Sequence, residues 1–358
     1  MNPEFWKQKT VLITGHTGFK GSWLSLWLAN VGANTIGFSN GIPTEPSLFE
    51  SAGVEKIMSK SITDSDIRDY QSIEKTIKQY NPDIIIHMAA QAILRESYSN
   101  PVETYSTNVM GTVNLLEAAR KAGDNTRVIL NVTSDKCYDQ RNIKHAHTED
   151  DPMGGFDPYS NSKACSELVT ASFRDSFFNV NDFQRHNVAL ASVRAGNVIG
   201  GGDWGQDRLV PDIMRGFFQK NKVKIRNPNA TRPWQFVLDP LECYLILAEL
   251  LWKDGPKYSE GWNVGPTKDE QRPVSWIVEQ LGKMLEDKLD VEYQTDTNLH
   301  EEKSLELDCS KAITKLGWQT KMNLKESLQW TSDWYKEYNK GKDMQEFSIS
   351  QIETFMSL

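Results

Sequence analysis

The chain has 358 residues and a formal net charge of −8. This length is sufficient for a large buried core and predicts about two domains. The negative charge argues against a nucleic-acid-binding protein, which needs a basic surface to neutralise phosphates.

Cysteine spacing and the lack of long apolar segments indicate the cellular compartment. The four cysteines lie far apart and form no C-x-x-C pair, which is typical of reduced thiols rather than of a zinc site or a disulfide framework. The N-terminal residues lack the apolar core of a signal peptide, and no apolar run is long enough to span a bilayer. We therefore expect a soluble cytoplasmic protein without a metal.

In the first half of the chain, short apolar segments alternate with amphipathic ones. The apolar segments are rich in Ile, Val and Leu, as in a parallel sheet covered on both faces. They predict strands at 11–14, 35–38, 83–87, 128–133 and 188–193. The segments between them predict helices at 23–31, 73–80, 102–122 and 160–174. This alternation predicts an α/β fold with a doubly wound, Rossmann-type parallel sheet.

A glycine-rich loop, Gly15-x-x-Gly18-x-x-Gly21, follows the first predicted strand and opens the first helix. Residues without a side chain let the chain turn sharply and let its backbone approach a pyrophosphate. The helix N-terminus offers free N–H groups to the phosphates. In this context the loop predicts a dinucleotide site. His16 is interpreted either as a pyrophosphate contact or as a turn residue.

The ends of the second and third strands indicate which dinucleotide binds. Ser39 and Asn40 stand where an acidic residue usually binds the adenosine ribose, and no arginine is present there for a 2′-phosphate. NAD is therefore favoured over NADP. Asp66 follows a presumed third strand that lies between those at 35–38 and 83–87, and it is interpreted either as a contact of the adenine amine or as a helix N-cap.

Tyr159 and Lys163 are four residues apart, so on a helix they share one face. An unperturbed phenol has a pKa of about 10, and a nearby ammonium is expected to lower that pKa by favouring the phenolate. The phenolate can take a proton from a sugar hydroxyl while hydride leaves the same carbon. Together with the glycine loop and Thr133 at a strand end, the pair predicts oxidation of an alcohol by a bound nicotinamide.

After about residue 196 the pattern changes. Loops rich in Gly, Asn, Pro and Arg alternate with helices predicted at 239–252 and 274–285. We interpret residues 1–195 as an NAD-binding Rossmann domain and residues 196–358 as a smaller α/β substrate domain interleaved with it. Arg208 and Arg232 are candidates for a diphosphate, because a guanidinium meets two phosphate oxygens at once. Arg208 is alternatively a helix cap, and Trp234 is interpreted as packing rather than base stacking.

Over nearly its whole length the chain resembles the extended short-chain dehydrogenase/reductase family, and most closely its sugar-nucleotide 4,6-dehydratases. The resemblance implies these cofactor-binding residues: Gly15, Thr17, Gly18, Phe19, Lys20, Gly21, Asp66, Ile67, Ala89, Ala90, Gln91, Asn108, Tyr159 and Lys163. It implies these catalytic residues: Thr133, Asp135, Lys136, Tyr159 and Lys163. It implies substrate binding by Asn197, Arg208 and Arg232.

One pair of residues differs from the pattern of most sugar-nucleotide 4,6-dehydratases and indicates which of these enzymes the chain resembles most. Dehydratases of dTDP-glucose and GDP-mannose have Asp-Glu where this chain has Asp135-Lys136. In this pair of residues and in the segments 15–23 and 194–204, the chain resembles the dehydratases of CDP-glucose. The resemblance implies CDP-glucose as the substrate. The resemblance also implies a homodimer or homotetramer built through the predicted helices 102–122 and 160–174.

The implied reaction oxidises C4 of the glucose ring, which acidifies the C5 proton. Water is then eliminated across C5 and C6, and hydride returns to C6. Asp135 is implied as the acid at C6 and Lys136 as the base at C5. A paired Asp and Lys would each stabilise the other's charged form, which is the wrong state for both roles. Either the two side chains point apart, or burial lowers the pKa of Lys136.

Other functions stay open. A nucleotide-sugar 4-epimerase needs Tyr159 and Lys163 but no acid and base for elimination, so Asp135-Lys136 argues against it. A non-catalytic dinucleotide-binding sensor needs neither Tyr159 nor Lys163. Another nucleotide-sugar dehydratase would differ in the nucleotide that it recognises, and no residue of the sequence identifies cytosine by itself.

Overall fold

A computed structural model describes residues 1–141, 145–285, 289–294 and 305–358. Its strands are β1 (Thr10–Thr14), β2 (Asn34–Phe38), β3 (Lys60–Ile62), β4 (Ile84–His87), β5 (Val128–Val132), β6 (Ala189–Ala195), β7 (Val198–Ile199), β8 (Val223–Arg226), β9 (Thr231–Arg232), β10 (Gln235–Phe236), β11 (Gly261–Val264), β12 (Arg272–Pro273) and β13 (Val291–Gln294).

Its α-helices are α1 (Pro3–Trp6), α2 (Phe19–Asn30), α3 (Leu48–Ser51), α4 (Val54–Ile57), α5 (Tyr70–Tyr80), α6 (Leu94–Ser99), α7 (Pro101–Tyr105), α8 (Gly111–Ala122), α9 (Pro158–Ser176), α10 (Phe183–His186), α11 (Leu209–Gln219), α12 (Leu238–Lys253), α13 (Gly255–Tyr258), α14 (Val274–Met284), α15 (Leu324–Asn339) and α16 (Met344–Ser357). Every helix predicted from the sequence has a counterpart among them.

Within the described residues, seven strands form one parallel sheet in the order β11-β6-β5-β4-β1-β2-β3. The predicted Rossmann-type fold is therefore confirmed. The strand order reverses beside β1, and in such sheets the carboxyl ends of the strands around this point form a ligand-binding crevice.

The core lies on both faces of this sheet. Ile84 and Ile86 of β4 pack into the cluster that includes α2, α12 and α16, whereas Ile85 packs into the cluster that includes α5 and α8. All three side chains are fully buried. Because both faces are covered, the sequences of these strands are continuous apolar runs.

The predicted helix 102–122 is interrupted. It consists of α7, a π-helical turn at Ser106–Met110, and α8. Gly111 begins α8 against Ile67, where an added Cβ would lie 2.8 Å from the Ile67 Cγ2 atom. A π-turn inserts one extra residue into a helix and often marks a functional position.

Elements of the second half join the first. The strand β11 pairs with β6, α12 packs on β5 and β6, and α16 packs on α2. Three two-stranded sheets, β7 with β10, β8 with β13 and β9 with β12, lie among the described residues after β6. The division of the chain at residue 195 stays a prediction. In the described part of the chain, no helix has the length and apolar character needed to cross a bilayer.

Candidate active site

A cavity of about 1240 Å³ opens at the carboxyl ends of β1, β4, β5 and β6. Nearly all candidate residues line it. They are Gly15, Thr17, Gly18, Phe19, Lys20, Gly21, Asp66, Ile67, Ala89, Ala90, Gln91, Thr133, Asp135, Lys136, Tyr159, Lys163, Asn197, Arg208 and Arg232. The structure thus gathers residues from both halves of the chain around one space.

The glycine loop is shaped as a cradle for a pyrophosphate. Gly15 has a φ of +76°, in the left-handed region, and an added Cβ would lie 2.8 Å from the backbone nitrogen of Ala89. A Cβ on Gly21 would lie 2.1 Å from the carbonyl oxygen of Gly15. Gly18 is the N-cap of α2 and makes no side-chain cap. The loop therefore fits the phosphates of a dinucleotide at a helix N-terminus.

His16 lies inside the fold rather than in the cavity. Its ring nitrogens are 2.8 Å from the hydroxyl of Ser39 and 2.8 Å from that of Ser61. Burial lowers the pKa of His16 to about 4, although a hydrogen bond with the Phe38 backbone acts in the opposite direction. Of the two interpretations, a neutral structural histidine of the turn agrees with the structure.

Asp66 lies at the cavity and is not a helix cap. The N-cap of α5 is Asp69, whose side chain accepts from the backbone of Gln71 and Ser72. Asp66 pairs with Arg68 at 2.5 Å and accepts a hydrogen bond from Asn40 at 2.8 Å. Hydrogen bonding by Arg68 lowers the pKa of Asp66, so this group is a carboxylate at neutral pH.

Asn108 lies behind the cavity wall, in the π-turn. Its Oδ1 accepts from the backbone nitrogen of Gln91 at 2.8 Å, and its Nδ2 donates to the Gln91 carbonyl at 3.0 Å. The same Nδ2 is 2.8 Å from the Ser162 hydroxyl on α9. Asn108 therefore ties the loop after β4 to α9, and its predicted direct contact with a cofactor has no support in this placement.

Tyr159 and Lys163 lie on α9, which begins after the N-cap Asp157. Both side chains are buried, and the Lys163 Nζ atom donates to the Val132 carbonyl at 3.3 Å. Burial lowers the pKa of Lys163 to about 8. Burial raises the pKa of Tyr159 to about 12, outweighing a hydrogen bond with Ser134 and the charge of Arg208. The expectation of a lowered phenol pKa is wrong for this structure, because desolvation disfavours the phenolate.

The hydroxyl beside the Tyr159 phenol belongs to Ser134, not to Thr133. The Ser134 hydroxyl lies close enough to the Tyr159 phenol to lower its pKa, and it donates to Asp135 Oδ1 at 3.0 Å. The Thr133 hydroxyl donates to the Glu167 carboxylate, on the other side of the segment. Neighbouring side chains of an extended segment point in opposite directions. Sequence reasoning chose Thr133 and missed Ser134, although this alternation was a usable signal.

Asp135 and Lys136 begin a short 3₁₀ turn, Asp135–Cys137. Asp135 is 2% exposed, and burial raises its pKa despite the charge of Lys136 and the hydrogen bond from Ser134. The half-buried Lys136 places its Nζ 6.0 Å from the centroid of the Tyr159 ring. Among the described residues, no ion pair within 4.0 Å joins the two. The two side chains are therefore not directly paired, although the charge of Lys136 still favours the Asp135 carboxylate.

The substrate-side residues present charge and one unpaired polar atom to the cavity. Arg208 occupies the N-cap position of α11, but its side chain makes no capping bond and donates instead to both carboxylate oxygens of Asp203, each at 3.0 Å. Arg232 is 4% exposed and its charge favours the Asp135 carboxylate. Among the described residues, Asn197 Oδ1 is buried without a hydrogen-bond partner. Trp234 donates to the Arg272 carbonyl at 2.9 Å, in agreement with a packing role.

Two further basic side chains lie at the cavity near Arg208 and Arg232. Lys20 is deeply placed in the cavity, where burial and then the charges of Lys163 and Arg208 lower its pKa to about 7. Arg215, which sequence reasoning missed, lines the cavity and donates to the carbonyls of Trp204 and Gly205. Its position on α11, three residues after Asp212, gave no signal of a binding site.

Comparisons with known proteins agree with this geometry. The model of the GDP-mannose 4,6 dehydratase family matches residues 12–331. A CDP-glucose 4,6-dehydratase from Salmonella typhimurium is 48% identical over 357 residues, covering 100% of this chain and 99% of the relative. A dTDP-glucose 4,6-dehydratase from Haemophilus influenzae is 25% identical, covering 91% of this chain and 97% of that protein.

Solved structures show the same fold. A UDP-glucose 4-epimerase from Thermotoga maritima, solved with UDP-glucose, has a TM-score of 0.78 at 21% identity and covers 92% of this chain and 99% of its own. A dTDP-glucose 4,6-dehydratase from Bacillus anthracis, solved with NAD, has a TM-score of 0.76 at 21% identity, with coverages of 93% and 98%. From the family match and the 48% identical relative together, this chain belongs to the GDP-mannose 4,6 dehydratase family.

Proposed function

We propose that this chain is an NAD-dependent lyase that converts CDP-glucose to CDP-4-dehydro-6-deoxyglucose and water. The observation that carries the proposal is the gathering of Tyr159, Ser134, Asp135 and Lys136 around the cavity that the glycine loop borders. This set contains groups for both oxidation and elimination. The choice of CDP-glucose is supported by the 48% identity, over the full chain, to a CDP-glucose 4,6-dehydratase.

The cofactor site is the part of the cavity around the glycine loop. Its pyrophosphate would lie on the cradle of Gly15, Gly18 and Gly21, its adenosine near Asp66, and its nicotinamide ribose near Lys163. When bound, NAD supplies a cationic ring that favours the phenolate, takes hydride from C4 and returns it to C6. The carboxylate of Asp66 is paired with Arg68, so the adenine amine would share it.

Oxidation at C4 requires a group that takes the hydroxyl proton. Tyr159 is that group, and both the Ser134 hydroxyl and the charge of Arg208 favour its phenolate. A base must lie within hydrogen-bond reach of the proton that it removes. The Ser134 hydroxyl therefore helps to orient the phenol and the substrate hydroxyl together.

Elimination requires a proton donor and a proton acceptor at adjacent carbons. Burial raises the pKa of Asp135, which favours its protonated form, and Asp135 gives a proton to the departing C6 hydroxyl. Lys136, whose Nζ lies 6.0 Å from the centroid of the Tyr159 ring, removes the proton from C5.

The nucleotide end of the substrate is bound by the arginines. Arg208 and Arg232 both follow Asn197 in the chain, and all three residues line the same cavity. Guanidinium groups are suited to the oxygens of a diphosphate, and the unpaired Oδ1 of Asn197 accepts a hydrogen bond from a sugar hydroxyl.

We also infer a homo-oligomer. Large apolar side chains are exposed on the surface formed by α7, the π-turn and α9, where Val102 is 83%, Met110 51% and Leu168 58% exposed. Clusters of exposed apolar side chains mark protein interfaces. This surface includes the helices from which an oligomer is expected by resemblance.

The test is turnover of CDP-, dTDP-, GDP- and UDP-glucose by the purified chain with added NAD. We expect a 4-keto-6-deoxy product, detected by its enolate absorbance in alkali, from CDP-glucose in clear preference to the others. Tyr159→Phe is the matched control and should abolish the product. Formation of CDP-galactose without loss of water would instead identify an epimerase.

A further inference from the structure

Glu167 is a buried carboxylate on α9, one helical turn beyond Lys163 and outside the set of residues that line the cavity. Its Oε1 accepts from the Thr133 hydroxyl. Its Oε2 accepts from the Ser192 hydroxyl at 2.7 Å and from Arg194 Nη2 at 2.9 Å. A buried charge is tolerated only when it is paired and hydrogen-bonded, and this one has three donors.

The surrounding donors keep Glu167 ionised. Burial raises the pKa of Glu167, but the charge and hydrogen bond of Arg194 and the hydroxyls of Thr133 and Ser192 outweigh burial and lower it. Arg194 is itself held by the Tyr138 hydroxyl at 2.8 Å and the Glu149 carbonyl at 3.1 Å. The negative charge is therefore fixed in place next to the helix face that carries Lys163.

We propose that Glu167 is a positioning residue that keeps the Lys163 side chain in its ammonium form, so that Lys163 can bind the nicotinamide ribose and support Tyr159. This inference rests on the proposed function. Residues four apart on a helix are neighbours on its surface. Burial alone drives a lysine toward its neutral form, and Glu167 is the main charge that opposes it at Lys163.

Other titratable groups face Lys163 and do not replace Glu167. Burial raises the pKa of the Cys137 thiol far above its usual value, so the thiol stays neutral. Burial lowers the pKa of His87 to about 3, so the imidazole stays neutral. Lys20 is a cation that repels Lys163, and its pKa is lowered to about 7. Lys20 changes its charge between pH 6 and pH 9, so the variant and the unmodified chain are compared with each other at each pH.

The experiment measures NAD binding by quenching of tryptophan fluorescence between pH 6 and pH 9, for the full chain and Glu167→Gln. Removing the carboxylate should lower the pKa of Lys163 by about one unit or more. With the starting pKa of about 8, the charged fraction at pH 8 then falls about fivefold, and at pH 6 it hardly changes. Weakening that grows with pH in this way is expected; equal weakening at every pH, or none, overturns the proposal.

Two controls and one replacement variant test whether the effect is specific to Glu167 and Lys163. Glu117→Gln removes a carboxylate on α8 that pairs with Arg120 and Lys121, and it should leave NAD binding unchanged. In a Lys163→Arg background the cation no longer titrates, so Glu167→Gln should add no pH-dependent weakening. If Glu167→Gln does not fold, Glu167→Asp is measured instead, because its shorter side chain moves the charge away from Lys163; the same criterion decides.

Failure of the proposed function is recognised separately. Turnover of CDP-glucose by the unmodified chain at neutral pH tests that function without reference to Glu167. A chain that dehydrates CDP-glucose but whose Glu167→Gln variant binds NAD with an unchanged pH profile refutes only the role of Glu167.

Discussion

The adjacent hydroxyls Thr133 and Ser134 offer a matched pair of substitutions that separates a catalytic contact from a structural one. The Ser134 hydroxyl lowers the pKa of Tyr159, as expected of a donor placed to hydrogen-bond the phenolate. A hydrogen bond to a charged group contributes about 1.5–3 kcal/mol. Since about 1.4 kcal/mol corresponds to a tenfold change in rate, loss of this bond to the phenolate in Ser134→Ala should slow C4 oxidation about 10- to 150-fold.

Thr133→Val should act mainly on stability. Its hydroxyl donates to the buried carboxylate of Glu167, and leaving that acceptor short of a donor costs about 1–3 kcal/mol in the free energy of unfolding. Oxidation should be slowed less than in Ser134→Ala. The assay for oxidation is the absorbance of reduced nicotinamide in a single turnover of CDP-glucose, and urea unfolding gives the stability.

Ser134→Thr is the control for the comparison of Ser134→Ala with Thr133→Val. Ser134→Thr keeps the hydroxyl and should restore most of the oxidation rate that Ser134→Ala loses. If Thr133→Val slowed oxidation as much as Ser134→Ala did, while unfolding at the same urea concentration as the unmodified chain, the placement of the two hydroxyls would be wrong.

Three further outcomes are expected. Lys136→Ala should lose exchange of the C5 hydrogen with solvent deuterium while C4 oxidation continues; undiminished exchange would remove the lysine from the role of base. Asp135→Asn cannot give up a proton, so elimination should slow about 10²–10⁴-fold and reduced nicotinamide should accumulate; an unchanged rate of product formation contradicts this. The double substitution Val102→Asp and Leu168→Asp should lower the mass in light scattering, whereas Ile313→Asp, on another exposed apolar side chain, should not.

The central sheet could be predicted because its signal is local. The five strands predicted in the first half are continuous apolar runs, and burial on both faces produces that pattern. By contrast, β11 has the sequence Gly-Trp-Asn-Val and pairs with Ser192–Ala195, far away in the chain. Its membership of the sheet is decided by tertiary packing, so no window of the sequence contains the information. The three-residue β3, which begins at the exposed Lys60, gave too little pattern to bound it.

The candidate active site was likewise predictable only where its features depend on residues close together in the sequence. The glycine loop and the Tyr159–Lys163 pair are defined by spacing within a few residues, and both line the cavity. The pKa of Tyr159 depends instead on how deeply α9 is buried by other segments, and burial raises it to about 12. Desolvation is a property of the folded molecule, which is why reasoning from the lysine alone gave the wrong direction.

The surroundings of Asp135 favour dehydration over epimerisation. Among the described residues its Oδ2 has no hydrogen-bond partner, and it faces Gly196, where an added Cβ would lie 3.3 Å away. Leaving a buried polar atom unpaired costs about 1–3 kcal/mol, and a substrate hydroxyl that hydrogen-bonds this oxygen would offset that cost. Epimerisation at C4 removes hydride and returns it to the same carbon, which needs no second acid. Loss of the C6 hydroxyl does need one, and a buried carboxyl whose pKa is raised by burial is suited to supply it.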